Sequence, residues 1–272
     1  MMSRVVTNLM LDSGAYSAWS SGAQISVVDY AEYILANIEY IDTVVNLDVI
    51  PGVKNGPMPS AADIEHAARQ SWENFEYLRS CGIDVLPVFH QAERFYWLER
   101  MLDVGCTYIG LGAISRAVSK QRIAWLDDVW DMLADDDGRA RIKVHGFGVT
   151  SSEVMFRYPW HSIDSTTWMI TAAYGMIMVP SVDAKGDWVF HRRIPRVRIS
   201  KEAPIVPGHF KLLTDAEKEV VLRFIEESGT TYEECVESQR KRMRVCVHFY
   251  QVLSNKDLDI RYKRQRLPIF SR

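Results

Sequence analysis

Short β-rich runs alternate with longer segments of helical period along this chain. Two of the helical segments carry clear end signals: Ser26 is a candidate N-cap, and the segment from Ser60 to Cys81 stops at Gly82. Strands separated by helices of this length form parallel βαβ units. The sequence therefore predicts an α/β protein. The β-rich runs occupy residues 5–12, 43–48, 84–90, 108–113, 142–149, 162–166 and 174–179.

The residues at the carboxyl ends of these runs favour a closed barrel over an open sheet. Nearly every run ends in polar residues or glycine, among them Asp12, Asp48, His90 and Asp164. A (β/α)8 barrel builds its active site from the ends of several strands, whereas an open doubly wound sheet concentrates it at one switch point. We therefore predict a TIM-type (β/α)8 barrel, although the eighth strand has no clear candidate in the sequence.

Composition limits the class of protein. The 272 residues are 47% hydrophobic and 25% charged, with a formal charge of -3, so the whole chain shows no general attraction to nucleic acid. Four cysteines lie far apart without a C-x-x-C pair, which is typical of reduced thiols in the cytoplasm. The N-terminus lacks the layout of a signal peptide, and the longest apolar run, 169–179, is too short to cross a bilayer. We expect a cytoplasmic protein with no membrane partner.

Three aspartates at strand ends admit more than one use. Each alone could cap the following helix, but Asp12, Asp48 and Asp164 all occur at the same end of the predicted sheet, which favours a shared pocket. Converging carboxylates suit covalent and acid/base chemistry at an anomeric carbon. They also suit binding of a hard cation through oxygen ligands. The residues by themselves leave these two uses open.

Taken in order, the strand ends resemble those of the tRNA-guanine transglycosylase superfamily. The six motifs are L-D-S-G-A-Y-S, N-L-D-V-I-P, V-F-H-Q, I-G-L-G-A, H-G-F-G-V-T-S and S-I-D-S-T-T-W, and they span residues 8 to 168. They are most similar to the DNA-acting branch, the phage and bacterial 7-deazaguanine DNA transglycosylases. The resemblance implies a barrel enzyme of the bacterial or phage-infected host cytoplasm that exchanges guanine in a nucleic acid for a 7-deazaguanine without breaking the strand.

The resemblance also implies roles for individual residues. Asp164 matches the nucleophile that attacks the sugar, and Asp12 matches the acid that moves a proton to and from the bases. Asp48 matches the residue that reads the N-H edge of the base, and His90 stands where the tRNA enzymes have glutamine. The other residues expected to bind substrate are the backbone donors Gly110, Leu111 and Gly112, the stacking side chains Tyr16 and His145, and Ser13 and Gly146 beside them.

One departure from the tRNA enzymes concerns zinc. Their C-x-C-x-x-C run with a distant histidine has no counterpart here, and the spacing of Cys235, Cys246, His209 and His248 is wrong for a standard site. We expect no zinc subdomain, no metal and no other cofactor. Because the zinc-bound part helps those enzymes hold RNA, its loss weakens the case for tRNA as substrate.

Basic residues concentrate in the last third of the chain. We expect the transglycosylase barrel over residues 1–180, and over 181–272 a basic, helical C-terminal part that completes the barrel and contacts nucleic acid. A single charge cluster is usually a solvated face, but several in a net acidic protein favour phosphate binding. The candidate contacts are Arg192, Arg193, Arg196, Arg198, Arg240, Lys241, Arg242 and Arg244.

The sequence thus predicts a DNA-guanine transglycosylase whose partners are DNA, with its guanine flipped out or single-stranded, and a free 7-deazaguanine base, 7-cyano-7-deazaguanine in particular. The alternatives are a tRNA-guanine transglycosylase, a hydrolase in which water resolves the covalent intermediate, and a noncatalytic nucleic-acid-binding barrel. The sequence does not predict an oligomeric state.

Overall fold

The chain is an α/β protein with parallel sheets, which confirms the predicted class. A computed structural model describes residues 8–54, 56–112, 120–149, 151–190, 194–256 and 258–264. These residues form two compact units. The first comprises the described residues within Met1–Arg116, Ala140–Phe147 and Trp160–Ser162, and the second those within Ala117–Arg139, Gly148–Pro159 and Ile163–Arg272.

Parallel strands follow one another in chain order in the first unit. One sheet has the order β1-β2-β3 and pairs Met10 with Thr43 and Val44 with Val85. The other has the order β4-β5-β6-β7 and pairs His90 with Gly112 and Leu111 with Gly146. The strands are β1 (Met10–Leu11), β2 (Thr43–Val45), β3 (Val85–Leu86), β4 (Val88–His90), β5 (Tyr108–Gly112), β6 (Lys143–Gly146) and β7 (Ser162–Ile163), of which Ile163 is assigned to the second unit.

Proline accounts for the break between the two sheets. Pro87 alone separates β3 from β4, and proline has no N-H to donate to a ladder. Its carbonyl still accepts a hydrogen bond of 2.8 Å from the Gly110 N-H. Strands β3 and β4 are therefore two halves of one extended segment, as the β-rich run 84–90 predicts.

Two helices of the first unit begin where the sequence predicts helical segments. The Ser26 hydroxyl accepts from the Asp29 N-H at the start of α2, and Ser60 forms a capping box with Asp63 at the start of α3. Gly82 follows the end of α3 with a φ of 79°, a left-handed conformation that favours glycine. The helices are α1 (Ala15–Ser21), α2 (Val27–Asn37), α3 (Ala61–Ser80) and α4 (Phe95–Asp103), with a 3-10 turn at Ile38–Tyr40.

The second unit is mainly helical, with short antiparallel pairs. Strand β8 (Met176–Met178) pairs with β11 (Arg196–Arg198), and β9 (Ser181–Val182) pairs with β10 (Trp188–Val189). Trp188 packs on Phe224, and Phe190 packs on Phe249. The helices are α5 (Lys120–Leu133), α6 (Ser152–Met155), α7 (Thr167–Ala173), α8 (Asp215–Glu227), α9 (Tyr232–Glu237) and α10 (Gln239–Ser254), with a 3-10 turn at Phe210–Leu212.

Two predictions about architecture, the closed barrel and the domain boundary at residue 180, are not established by these strand pairings. Strand β8 pairs antiparallel with β11, so the pairings among the described strands do not establish a closed eight-stranded barrel. The second unit contains residues on both sides of position 180, and the predicted boundary there stays a prediction. In the described part of the chain, no helix combines the length and apolar character that crossing a membrane requires.

Candidate active site

Two of the predicted acids lie near one buried tyrosine of the first unit. Tyr30 on α2 is 7% exposed, and its hydroxyl donates a hydrogen bond of 2.8 Å to the Val45 carbonyl of β2. Burial raises the pKa of Tyr30, and the negative charges of Asp12 and Asp48 raise it further. Asp12 itself is exposed, while the neighbouring Ser13 is buried and accepts from the Ala15 N-H.

A cluster of three charged side chains in the first unit centres on His90, the last residue of β4. Its Nε2 lies 2.9 Å from Asp48 Oδ2, and its Nδ1 lies 3.2 Å from Glu93 Oε1. Burial alone would lower the pKa of His90, but the hydrogen bonds to Asp48 and Glu93 outweigh it and raise the pKa to about 10. The structure therefore brings Asp48 and His90 together and adds an acid that the sequence analysis did not select.

The glycines of β5 make room for neighbouring side chains. A Cβ on Gly112 would lie 2.3 Å from His90 Cδ2, and one on Gly110 would lie 2.5 Å from Phe147 Cε2. The Gly110 N-H already donates to Pro87, and the carbonyl of the buried Leu111 accepts from the Phe147 N-H. The Gly110 N-H is therefore used within the sheet, and the expected roles of Leu111 and Gly112 as backbone donors stay predictions.

The two rings expected to stack on a base differ in exposure. Tyr16 on α1 is 63% exposed and lies beside Trp19, with the ring centroids 5.7 Å apart. His145 on β6, next to Gly146, is 4% exposed; its Nδ1 lies 2.7 Å from Ser162 Oγ, and its ring packs on Phe147. A buried ring offers no face to a base, so the stacking role is retained only for Tyr16.

Asp164, in the second unit, follows β7 and is exposed. Its Oδ1 accepts a hydrogen bond of 2.7 Å from the N-H of Gly148, whose φ of 65° is left-handed. This backbone bond orients the carboxylate, and left-handed backbone at this point favours glycine. The hydroxyls that follow are used locally, since Ser165 donates to Thr167 and accepts from its N-H.

The predicted phosphate contacts divide by exposure. Arg196, Arg240 and Arg244 are exposed in the second unit, although the Arg244 Nε also donates to the Ser228 carbonyl. Lys241 pairs with Glu234 at 2.5 Å, and the half-buried Arg198 donates to the Pro207 carbonyl. Arg192 and Arg193 lie outside the described residues.

Arg242 requires a correction. It is 6% exposed, and its guanidinium donates to the carbonyls of Ala172, Cys235 and Val236. The helical period turns this side chain inward, whereas Arg240 and Arg244 on the same helix are exposed. The expectation that Arg242 contacts nucleic acid is therefore replaced by a structural role, in which its guanidinium joins the carbonyls that end α7 and α9.

The cysteines behave as packed thiols. Cys235 and Cys246 are buried, and burial raises their pKa values to about 11 and about 12. Among the residues that the structure describes, no group of three or more His, Cys, Asp or Glu side chains could hold a metal ion. The expectation that the chain needs no metal stays a prediction.

Glu93 is the main residue that sequence reasoning missed. The signal was present in H-Q-A-E, where an acid follows a strand-end histidine by three residues. Ala92 between them has a φ of 81°, an uncommon left-handed conformation for a residue other than glycine. Such a turn cannot be read from local pattern, because alanine does not signal it.

Comparisons with known proteins leave the resemblance as a prediction. No protein-family model matches this chain, and no curated protein matches its sequence.

Proposed function

We propose that this protein is a DNA-guanine transglycosylase that exchanges guanine for a free 7-deazaguanine base, 7-cyano-7-deazaguanine in particular. In this proposal the parallel strands belong to a TIM-type barrel and the basic C-terminal part contacts DNA. Asp164 is the nucleophile, Asp12 is the general acid and base, and Asp48 reads the base.

The observation that carries the proposal is the order and polarity of the strands in the first unit. Neighbouring parallel strands follow in chain order, so their carboxyl ends lie along one edge of each sheet. Asp12 follows β1, Asp48 follows β2, and His90 ends β4. Chain order without a reversal is typical of a barrel, whereas a doubly wound sheet reverses its order at the binding crevice.

The apolar core of the first unit supports a strongly curved sheet. Val45, Leu86 and Val88 form a buried cluster, and three further side chains pack against it. Together these side chains come from five strands and the residue after β6, as expected for the inside of a barrel. The further side chains are Met10, Tyr108 and Phe147.

The chemistry needs two carboxylates in different roles. An Asp164 oxygen attacks C1′ of the target deoxyguanosine, the C1′–N9 bond breaks, and its electron pair leaves on guanine N9, which takes a proton from Asp12. N9 of the incoming base then attacks C1′ and displaces Asp164, while the Asp12 carboxylate accepts the N9 proton. The Gly148 N-H, bonded to Asp164 Oδ1, orients the nucleophile. The covalent ester conserves the reactivity of C1′, so the exchange needs no energy source.

DNA is the favoured acceptor because the strand-end motifs are most similar to the DNA-acting branch and the sequence lacks the zinc motif of the tRNA enzymes. A guanine inside a duplex would be extruded before its glycosidic bond could be reached. Exposed Arg196, Arg240 and Arg244 are available for phosphates, and an exposed Tyr16 ring is available for stacking on a base. Contacts between arginines and phosphates release counterions from the nucleic acid, so we expect binding to weaken strongly as the salt concentration rises.

The test is incubation of the purified protein with labelled 7-cyano-7-deazaguanine and, separately, single-stranded DNA, duplex DNA and tRNA, followed by mass spectrometry of the digested nucleosides. We expect the modified nucleoside in DNA from the wild type and none from Asp164→Asn. The matched control is Asp136→Asn, which changes an exposed aspartate of the second unit and should retain activity.

Other outcomes separate the alternatives. Modified tRNA with unmodified DNA would support the tRNA enzyme, and release of guanine without insertion would indicate a hydrolase. Binding of DNA with neither release nor insertion would overturn the enzymatic proposal. A protein–DNA adduct that survives denaturation and depends on Asp164 would support the covalent step.

A further inference from the structure

Three side chains of the first unit form a continuous line of hydrogen bonds at the end of β4. Asp48, His90 and Glu93 have side chains only 11%, 14% and 6% exposed, and the imidazole lies between the two carboxylates. Both ring nitrogens face an acceptor, at 2.9 Å and 3.2 Å. Only the imidazolium form carries two N-H donors, so this arrangement fits a protonated His90.

The local backbone is shaped to bring Glu93 back onto His90. The left-handed Ala92 closes a turn in which the Glu93 N-H donates to the His90 carbonyl over 3.2 Å. Glu93 Oε2 also accepts from the His90 N-H over 3.1 Å, so Glu93 binds both the backbone and the ring of the same residue. An alanine held in the left-handed region stores strain of about 1 kcal/mol, and strain of this kind concentrates at functional sites.

The neighbouring strand β5 leaves space for the His90 ring. Gly112 on β5 faces His90 in the sheet register, and any side chain there would overlap the ring. The ring is thus fixed by an acid on each side and by a position that has no side chain. Its two nitrogens are both engaged, which leaves no donor on His90 for a base.

We infer that Glu93 and His90 are positioning residues of the proposed site, and that together they fix the Asp48 carboxylate that reads the guanine-like base. This inference rests on the proposed function. Glu93 holds the imidazolium, the imidazolium donates to Asp48 Oδ2, and the remaining oxygen of Asp48 is oriented toward the N-H donors of the base. His90 therefore acts through Asp48, which differs from the direct contact with the base that the family resemblance suggests.

The charges around His90 set the expected pH dependence. The acids that face its ring are Asp48 from the segment after β2 and Glu93 from the turn before α4, and β5 presents the uncharged Gly112. Tyr30 on α2 stays neutral near Asp48, because burial and the charges of Asp12 and Asp48 raise its pKa. Both flanking charges are negative, so they oppose loss of the proton from His90 until about pH 10.

The experiment compares the KM for the free base as a function of pH in the wild type, Glu93→Gln and His90→Gln. We expect a flat wild-type KM from about pH 6.5 to 9. KM should rise when His90 loses its proton as the pH increases. In Glu93→Gln this rise should begin at a lower pH than in the wild type, because one of the acids that keep His90 protonated is lost. His90→Gln, which cannot titrate, should give a KM about tenfold higher with no such rise, the loss expected for one hydrogen bond to a charged group.

Two controls separate positioning from general damage. Ala92→Gly keeps all three side chains and relieves the left-handed strain, and it should retain the wild-type KM profile. Glu76→Gln changes a glutamate paired with Arg100 at the surface and should also match the wild type. In all four variants kcat should stay within about threefold of the wild type, because none of the changed residues touches the reacting atoms.

A second measurement does not require activity. Titration of the His90 ring nitrogens by nuclear magnetic resonance should show an imidazolium at neutral pH in the wild type and a lower pKa in Glu93→Gln. A neutral His90 ring at pH 7, or an active enzyme whose KM profile is unchanged in Glu93→Gln, would overturn the inference alone. A wild type that exchanges no base would overturn the proposed function, whatever the state of His90.

Discussion

The two units each contain a buried charge cluster, and the clusters differ in their cation. In the first unit His90 lies between Asp48 and Glu93. In the second unit the Arg157 guanidinium binds Asp127, with its Nη2 2.7 Å from Oδ2 and 3.0 Å from Oδ1. The side chains are similarly buried, at 14% and 11% exposure for His90 and Arg157. Burial alone therefore does not distinguish them.

The surroundings of Arg157 indicate a structural role. Asp127 lies within α5, and its Oδ1 also accepts from the hydroxyl of the fully buried Tyr158. The Tyr158 ring stacks with Trp130 and Tyr262, so the ion pair lies beside a column of aromatic rings. The hydrogen bond to Asp127 raises the pKa of Arg157, which keeps a guanidinium charged at every accessible pH.

The contrast separates a fixed charge from an adjustable one. An arginine paired with one aspartate inside a helical unit has no second protonation state to use. A histidine between two acids at a strand end can lose its proton, and perturbed groups of that kind concentrate at functional sites. Because of this difference in chemistry, we expect His90 to have a functional role and Arg157 to stabilise the fold.

The largest expected effect tests the structural cluster. Arg157→Met should lower the free energy of unfolding by about 3 to 5 kcal/mol, because it leaves the Asp127 charge buried without its cation. Urea unfolding followed by circular dichroism measures the change. Lys218→Met removes the partner of the exposed Asp215 in the same unit and should cost less than about 1 kcal/mol. Equal losses in the two variants would contradict a special role for Arg157.

A smaller effect is expected where the first cluster meets β5. Gly112→Ala should lower the free energy of unfolding by about 1 to 3 kcal/mol, because the new methyl group overlaps the His90 ring. In a His90→Ala background the ring is absent, and the same substitution should cost much less. A double-mutant cycle measures this coupling. If the losses in the free energy of unfolding were additive, the His90 ring would not be the reason that residue 112 lacks a side chain.

The third expected effect is a change in stability that builds up gradually with pH, and it distinguishes His90 from Arg157 directly. The folded-state pKa of His90 is about 10, against an ordinary value of 6.5, so between these pH values the folded chain holds a proton that the unfolded chain lacks. The stability that His90 contributes is complete below pH 6.5 and is lost as the pH rises through this window, at up to about 1.4 kcal/mol per pH unit.

Urea unfolding across this range should therefore show a falling difference between the wild type and His90→Gln. The difference between the wild type and Arg157→Met should stay constant, because the guanidinium keeps its charge. A constant difference for His90→Gln as well would mean that the histidine is neutral in the folded protein.

Local signals in the sequence predict the elements well. Ser26 caps the helix that it was expected to cap, because an N-cap depends on a hydroxyl and the next three residues. Strands β1 to β8 are found within the predicted runs but are shorter, since ladder pairing needs a partner at each position. Strands β9, β10 and β11 lie beyond the last predicted run. The site is predicted only in part. Asp48 and His90 stand out as strand-end residues, whereas Glu93 depends on a turn in which an alanine adopts a left-handed conformation.

The α/β class, the Ser26 cap and the polar residues at the strand ends can be predicted from the amino-acid sequence, because each follows from local periodicity and local hydrogen bonding. Which charges are paired depends on the folded chain. The tertiary structure placed Arg242 inside and Arg240 outside, and it set His90 between Asp48 and Glu93. Pairing and burial depend on segments far apart in the chain, and a pKa depends on that assembled environment.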